Sequence, residues 1–265
     1  MAATEAETIL APLRADPGSS AILCDIDGTL APIVADPAAA AVPAATRELM
    51  ARLATRYRLV ACISGRRASA ARRMVGLDQL TYAGNHGLEL LRPGELEPSF
   101  DEAVGRCGSA ASGFASRLDW NDLARVGLRL EDKGPIQAIH WRGADDEEVA
   151  EQRASALAEL ARREGLFAHF GRKVLEIRPV ATVDKGVAAR GLVAASGVGK
   201  ALFGGDDRTD LDAFAALREL ERAGELERAV CVGVASAEGP DSIQNEADLV
   251  VAGPEGFNEV LQGLL

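Results

Sequence analysis

Positive charge is scarce in this sequence. Against 40 aspartates and glutamates stand 29 lysines and arginines, giving a formal net charge of −11 at pH 7. Nucleic acids and anionic membrane surfaces both need a basic face, so neither is an expected partner. An anionic small molecule would need a locally positive site. Lysine occurs only as Lys133, Lys173, Lys185 and Lys200, and arginine supplies the remaining basic charge. Long apolar runs are also missing. None reaches the roughly 18 residues that a membrane span requires, so no span is expected. Residues 1–18 are acidic and carry no apolar stretch, which argues against a signal peptide.

Cysteine is sparse. The chain has Cys24, Cys62, Cys107 and Cys231, with no C-x-x-C pair. Three of them fall in expected buried strands. They read as core filler in a reducing cytoplasm, not as disulfides or zinc ligands. Internal repeats are absent, and the one biased segment is an Ala- and Pro-rich loop over residues 31–43.

What is present is ordinary globular material. The 265 residues are 48% hydrophobic and 26% charged, enough for one large domain or two smaller ones. One stretch organises the rest: Ile22-Leu23-Cys24-Asp25-Ile26-Asp27-Gly28-Thr29-Leu30. Residues 21–24 read as a buried strand. Residues two apart in an extended chain point the same way, so Asp25 and Asp27 are expected to project together from the strand end. Gly28 lets the chain turn there. Two adjacent carboxylates repel each other unless a cation or a shared proton compensates.

A strand–helix rhythm follows. A helix is expected over residues 43–56, a second strand over 57–63 ending in Ser64-Gly65-Arg66, and a helix from there to residue 75. A third strand over 80–83 leads into Gly84-Asn85-His86-Gly87, and residues 88–91 suit one further strand. Without hairpin signals between the main strands, this implies a parallel sheet with helices on both faces. Ligands in such sheets sit beyond the C-terminal strand ends, where Asp25, Ser64 and Asn85 all fall. The middle of the chain differs. Helix, hairpin, helix, hairpin is an α+β unit, expected over residues 105–181 and interrupting a core of residues 1–104 and 182–265. Its strong helix, residues 145–164, has acidic residues in its first turn, arginines in its last, and Gly165 beyond. The βα rhythm then resumes. Asp184 caps a helix to residue 196, residues 201–205 form a strand, and further strands follow at 229–234 and 249–251.

Four carboxylates lie just after the strand at 201–205: Asp206, Asp207, Asp210 and Asp212. Capping accounts for one or two of them. With Asp25 and Asp27 they resemble an oxygen-rich site for Mg²⁺, an ion that takes a few carboxylates plus water and phosphate. A calcium EF-hand is excluded, because the sixth position counted from Asp25 is Leu30 and the twelfth is Asp36. Lys185 stands at the first helical position after Asp184, where positive charge opposes the helix dipole, and Gly186 weakens the helix further. Local rules broken together mark a functional position. Ser64 and the backbone N–H groups after it suit both an N-cap and an anion site.

These residues, in this order, resemble the haloacid dehalogenase superfamily of phosphotransferases: Asp25-Ile26-Asp27-Gly28-Thr29-Leu30, Ser64, Lys185 and Gly205-Asp206-Asp207. A narrower resemblance, to the trehalose-6-phosphate phosphatase family, is carried by further motifs. They are Ile63-Ser64-Gly65-Arg66, Gly84-Asn85-His86-Gly87-Leu88-Glu89, Leu130-Glu131-Asp132-Lys133-Gly134, His140-Trp141-Arg142, Glu176-Ile177-Arg178-Pro179 and Gly205-Asp206-Asp207-Arg208-Thr209-Asp210. Trp141 stands where the family pattern has tyrosine, and Leu211 where it has glutamate.

The resemblance implies an α/β fold, a Rossmann-like parallel-sheet core with an inserted α+β cap domain. It implies a cytoplasmic, Mg²⁺-dependent phosphatase of trehalose biosynthesis. Asp25 would be the nucleophile and Asp27 the acid/base. Lys185, Thr29 and Ser64 would hold phosphate. Asp25, the Asp27 carbonyl and Asp206 would hold the metal, with Asp207 or Asp210 as direct or water-mediated support. Glu131, Lys133 and Glu176 of the cap would contact the sugar, with Arg66, Asn85, His86 and Glu89 on the core rim. His140 and His169 read as packed strand residues. A trehalose-phosphate synthase is a possible partner. Two alternatives stay open: a related phosphatase for another sugar phosphate, such as a sucrose or glycosylglycerol phosphate, or a non-catalytic domain paired with a synthase.

Overall fold

A computed structural model describes residues 2–34, 39–100, 102–171, 173–178, 184–236 and 239–265; for 2–4 and 102–108 it describes the backbone alone. Asp36, Arg172, Pro179 and the Cys107 side chain lie outside this description. In chain order the first elements are α1 (Ala2–Ala15), β1 (Ser20–Cys24), α2 (Ala44–Arg56), β2 (Leu59–Ile63), α3 (Ala68–Val75), β3 (Thr81–Gly84), β4 (Glu89–Leu91) and β5 (Ser99–Phe100). Next come α4 (Glu102–Ser116), α5 (Trp120–Arg125), β6 (Arg129–Asp132), β7 (Gln137–His140), α6 (Glu147–Arg163), β8 (Phe167–Gly171) and β9 (Val174–Arg178). The last are α7 (Lys185–Ser196), β10 (Lys200–Gly205), α8 (Asp210–Arg222), β11 (Arg228–Ala235), α9 (Asp241–Glu246), β12 (Leu249–Ala252) and α10 (Gly253–Gly263). Among the described residues, no helix is long and apolar enough to cross a membrane.

The chain divides into two compact units, Met1–Ser99 with Val183–Leu265, and Phe100–Thr182. The first is built on an eight-stranded sheet in the order β12-β11-β10-β1-β2-β3-β4-β5. From β12 to β3 every pairing is parallel. The expected parallel sheet is present, with one antiparallel edge. β4 returns antiparallel to β3, Gly84 facing Glu89, because Asn85, His86 and Gly87 turn the chain through left-handed backbone.

Strand alternation separates two apolar layers. Ile22 and Cys24 of β1 join Leu13 (α1), Met50 (α2), Val75 (α3) and Phe257 (α10) on one face. Ala21 and Leu23 join Leu192 (α7), Phe214 (α8) and Ile243 (α9) on the other. Strands buried on both faces read as continuous apolar runs, which is why β1, β2 and β10 were visible in the sequence. Cys24, Cys62 and Cys231 are free thiols buried in these strands.

The second unit is a four-stranded antiparallel sheet, β6-β7-β9-β8. Ile139, Leu175 and Ile177 face Phe114 (α4), Leu123 (α5) and Ala154 (α6). The register aligns Glu131, Ala138, Glu176 and His169 across the opposite face. The short helices α5 and α9 and the N-terminal α1 were not expected from sequence. Pro12 interrupts the α1 pattern, and the other two span only six residues each.

Candidate active site

The chain reverses its direction of sheet growth between β1 and β10, so their C-terminal ends form a topological switch point. Asp25 follows β1 and Asp206 follows β10. The Asp25 N–H donates to the Gly204 carbonyl at 2.9 Å, which continues the ladder into the site. Gly28 turns the chain with φ +90°, and a Cβ there would sit 2.1 Å from Asp206 Oδ2. Close approach as well as the turn therefore requires glycine. Thr29, fully buried, donates its hydroxyl to Asp206 Oδ1 at 3.0 Å.

Lys185 opens α7 behind Asp184, whose Oδ1 accepts the Val187 N–H at 2.8 Å, as an N-cap does. Only 2% of Lys185 is exposed. Its Nζ lies 2.7 Å from Asp210 Oδ1, 3.0 Å from Asp25 Oδ1 and 3.9 Å from Asp207 Oδ1. The cation that opposes the helix dipole is thus balanced by carboxylates of β1 and α8. Gly186 has its reason too: a Cβ there would lie 2.4 Å from the Asp212 carbonyl, where α7 and α8 touch.

Among the described residues, Asp25, Asp206 and Asp210 place one carboxylate oxygen each within 4.8 Å of one another, all buried. One lysine faces three buried carboxylates. Burial pushes the Asp25 carboxyl well above the usual range, with Lys185 opposing. It pushes Asp206 up to about 7 and Asp210 to about 6. Burial disfavours the charge on Lys185, but Asp210 and Asp25 outweigh it and raise its pKa well above normal. Excess buried negative charge on hard oxygen donors fits a small divalent cation such as Mg²⁺.

Asp25, Asp27 and Asp206 were expected at the metal, with Asp207 or Asp210 in support. The structure brings Asp210 into the group instead of the Asp207 carboxylate. Asp207 Oδ1 accepts the Thr209 N–H and hydroxyl at 2.8 and 2.7 Å and the Asp210 N–H at 3.2 Å. Its side chain is 52% exposed and serves the first turn of α8. Burial works to raise its pKa, but Lys185 and the Thr209 hydrogen bonds leave it lowered. Asp210 Oδ2 accepts the N–H groups of Asp206 and Asp207 at 2.9 and 3.0 Å, which locks the turn between β10 and α8.

Asp25 and Asp27 were expected to need compensation, and each has its own cation. Lys185 pairs with Asp25, and Arg66 grips both oxygens of Asp27 at 2.6 and 2.7 Å. Arg66 was expected at the sugar; the structure assigns its guanidinium to Asp27.

Ser64 is buried but is not the N-cap expected of it. α3 begins four residues later, behind Arg67. The Ser64 N–H donates to the Ala83 carbonyl and its carbonyl accepts the His86 N–H, both at 2.9 Å. The neighbouring strand and turn therefore hold Ser64, not a helical turn. Asn85 and Glu89 are fully buried beside it and are not rim residues. His86 holds left-handed backbone in the same turn, with φ 59°.

In the second unit, Glu131, Lys133 and Glu176 do come together. Lys133 Nζ lies 3.3 Å from Glu176 and 3.9 Å from Glu131. His140, expected to be a packed histidine, meets Glu131 at 2.8 Å, and that hydrogen bond is the main reason the Glu131 pKa is lowered. Arg178 pairs with Glu176. His169 is exposed and stacks on Phe167, another departure from the packed reading. The apolar-strand context hid both histidines, because alternation puts every second residue on the polar face.

The fold is that of the haloacid dehalogenase-like hydrolases. One from Bacteroides thetaiotaomicron superposes with a TM-score of 0.59 at 17% identity, covering 93% of this chain and 99% of its own. Residues 23–248 match the trehalose-phosphatase family, and the chain belongs to it. It is 32% identical over 225 residues to the probable trehalose-phosphate phosphatase G of Arabidopsis thaliana, covering 76% of this chain and 59% of the relative. It is 36% identical over 204 residues to the trehalose-phosphate phosphatase of Mycobacterium avium, covering 75% and 51%. The chain thus spans little more than half the length of these curated relatives. The C-terminal domain of a C. albicans trehalose-6-phosphate phosphatase superposes with a TM-score of 0.72 at 22% identity, covering 97% of this chain and 96% of that one.

Proposed function

We propose that this protein is a Mg²⁺-dependent phosphatase that hydrolyses trehalose 6-phosphate to trehalose and phosphate. The observation that carries the reading is the buried Lys185–Asp25 pair, set among Asp206 and Asp210 at the switch point, in a member of the trehalose-phosphatase family.

Asp25 is the nucleophile. Its carboxylate forms a bond to phosphorus as the bond from phosphorus to the sugar oxygen breaks, giving an aspartyl-phosphate. Asp27 gives a proton to the departing sugar oxygen. It then takes one from the water that attacks the same phosphorus, which releases phosphate and restores Asp25. The covalent intermediate divides one hard displacement into two easier ones. Arg66 fixes the direction of the Asp27 carboxylate through its two-point grip. Lys185 offsets the repulsion between Asp25 and the phosphate dianion and the Ser64 hydroxyl holds a phosphate oxygen, while the Thr29 hydroxyl, donated to Asp206, orients that carboxylate. The carboxylates of Asp25, Asp206 and Asp210 and the main-chain carbonyl of Asp27 would hold Mg²⁺, with Asp207 alongside. The ion supplies charge stabilisation on the transferring phosphoryl group.

Glu131, Lys133 and Glu176 provide hydrogen-bonding groups for the sugar hydroxyls, with His140 and Arg178 holding two of them. The buried free thiols suit a reducing cytoplasm. A synthase that makes the sugar phosphate is the partner class proposed. The test is phosphate release from a panel of sugar phosphates, with Mg²⁺ and with excess chelator. Trehalose 6-phosphate should lead the panel and chelation should stop turnover. A flat panel, or turnover that persists with chelator, refutes the assignment.

A further inference from the structure

α3 begins without a cap of its own, since the Arg67 side chain makes no capping bond. The acceptor arrives from β4: Glu89 Oε2 takes the Ala68 N–H at 2.8 Å. The other oxygen, Oε1, accepts Asn85 Nδ2 at 2.6 Å and lies 3.6 Å from the Arg67 guanidinium. Glu89 is 0% exposed, so a carboxylate has been buried between two chain segments. Main-chain bonds complete the lacing. The Asn85 N–H donates to the Arg66 carbonyl at 2.7 Å, and the His86 N–H to Ser64 at 2.9 Å. Burial raises the Glu89 pKa, while Ala68, Arg67 and Asn85 pull it back.

The laced segment, residues 64–68, carries two groups of the site: the Ser64 hydroxyl and the Arg66 fork on Asp27. We infer that Glu89 is a positioning residue. Its buried carboxylate, gripped by Asn85, fixes the segment between β2 and α3 and thereby sets Ser64 against phosphate and Arg66 against Asp27. Hydrogen bonds to a buried charge are stronger than neutral ones, and losing one partner strands the charge. A carboxylate in this place therefore defines the segment more sharply than an apolar contact would. The inference rests on the phosphatase reading for what the segment is used for.

The test measures inorganic phosphate affinity by calorimetry in Mg²⁺, with kcat, KM and Tm alongside. Asn85→Asp sets two carboxylates against each other and should weaken phosphate binding and lower kcat by about tenfold. The double variant N85D/E89Q returns a donor–carboxylate pair to the same place and should recover most of that loss. In a Ser64→Ala background, N85D should cost little further phosphate affinity, because that affinity is set through the Ser64 hydroxyl, while its effect on kcat through Arg66 persists. If N85D does not fold, the same cycle run with E89Q decides, with an expected loss of about threefold. A lowered Tm with unchanged phosphate affinity overturns the inference, as do losses of phosphate affinity additive with S64A or a double variant no better than N85D. Wild-type protein that binds no phosphate also overturns it. Wild-type protein that binds phosphate but releases none from trehalose 6-phosphate refutes the phosphatase reading alone, and the affinity cycle still judges Glu89.

Discussion

Magnesium should stabilise this protein more at about pH 7.5 than at about pH 5.5, and the buried carboxylates set the size of the difference. Burial raises the folded-state carboxyl of Asp206 from 3.8 to about 7. Between those values the folded chain holds a proton that the unfolded chain has released, so stability falls as pH rises through the window. Three units correspond to about 4 kcal/mol lost from the metal-free protein. Asp210, raised to about 6, acts with the same sign. A cation that replaces the proton reverses the loss. At about pH 7.5 it binds an ionised Asp206; at about pH 5.5 it must expel a proton held some 1.5 units more tightly, which weakens it roughly 30-fold. If Mg²⁺ is present at about 100 times its dissociation constant at the higher pH, it contributes about 2.7 kcal/mol there. The same concentration contributes about 0.9 kcal/mol at the lower pH. For a chain of this length that is about 6 °C against about 2 °C in Tm. Thermal melts with Mg²⁺ or chelator at both pH values read this directly, and Asp206→Asn should shrink the difference. An equal or larger gain at low pH would refute the reasoning.

Other expectations follow from the same contacts. Asp25→Asn should lower kcat by at least about a thousandfold while leaving the fold intact by circular dichroism; undiminished turnover removes Asp25 as nucleophile. Lys185→Met leaves the carboxylates around it unpaired, so urea unfolding should show a loss of about 3–5 kcal/mol in metal-free protein. An unchanged midpoint would mean that the pairing does not support the fold. Glu131→Ala should raise KM for trehalose 6-phosphate about tenfold and leave an aryl phosphate unaffected; equal effects would take Glu131 out of sugar recognition. Gly28→Ala drives a methyl into Asp206, so both Mg²⁺ affinity and Tm should fall, and a variant with wild-type metal titration contradicts the close approach.

Much of this protein is decided locally and could be read from the chain. Apolar runs bounded by Asp-x-Asp-Gly, Ser-Gly-Arg and Gly-Gly-Asp-Asp marked three strands whose ends would meet. Lys185 stood out because it and Gly186 break helix rules. Asp184 was recognisable as the cap of α7, and its bond to Val187 agrees. These signals depend on periodicity, capping and turn chemistry within a few residues. The tertiary structure decided which group meets which. Arg66 reaches Asp27 across 39 positions and Thr29 reaches Asp206 across 177. Asp207 precedes α8 and Asp210 opens it, yet the first is half exposed and bonded to the helix's first turn while the second is buried against Lys185. Ser64 looked like an N-cap because a hydroxyl after a strand usually is one. The helix starts later, with Arg67 at its N-cap three residues on, and Glu89 of the returning β4 takes the Ala68 N–H in place of a local cap. Sequence determined where the strands end and which charges stand there. Packing determined their partners, because ion pairs and buried carboxylates depend on distances that only the assembled sheet defines.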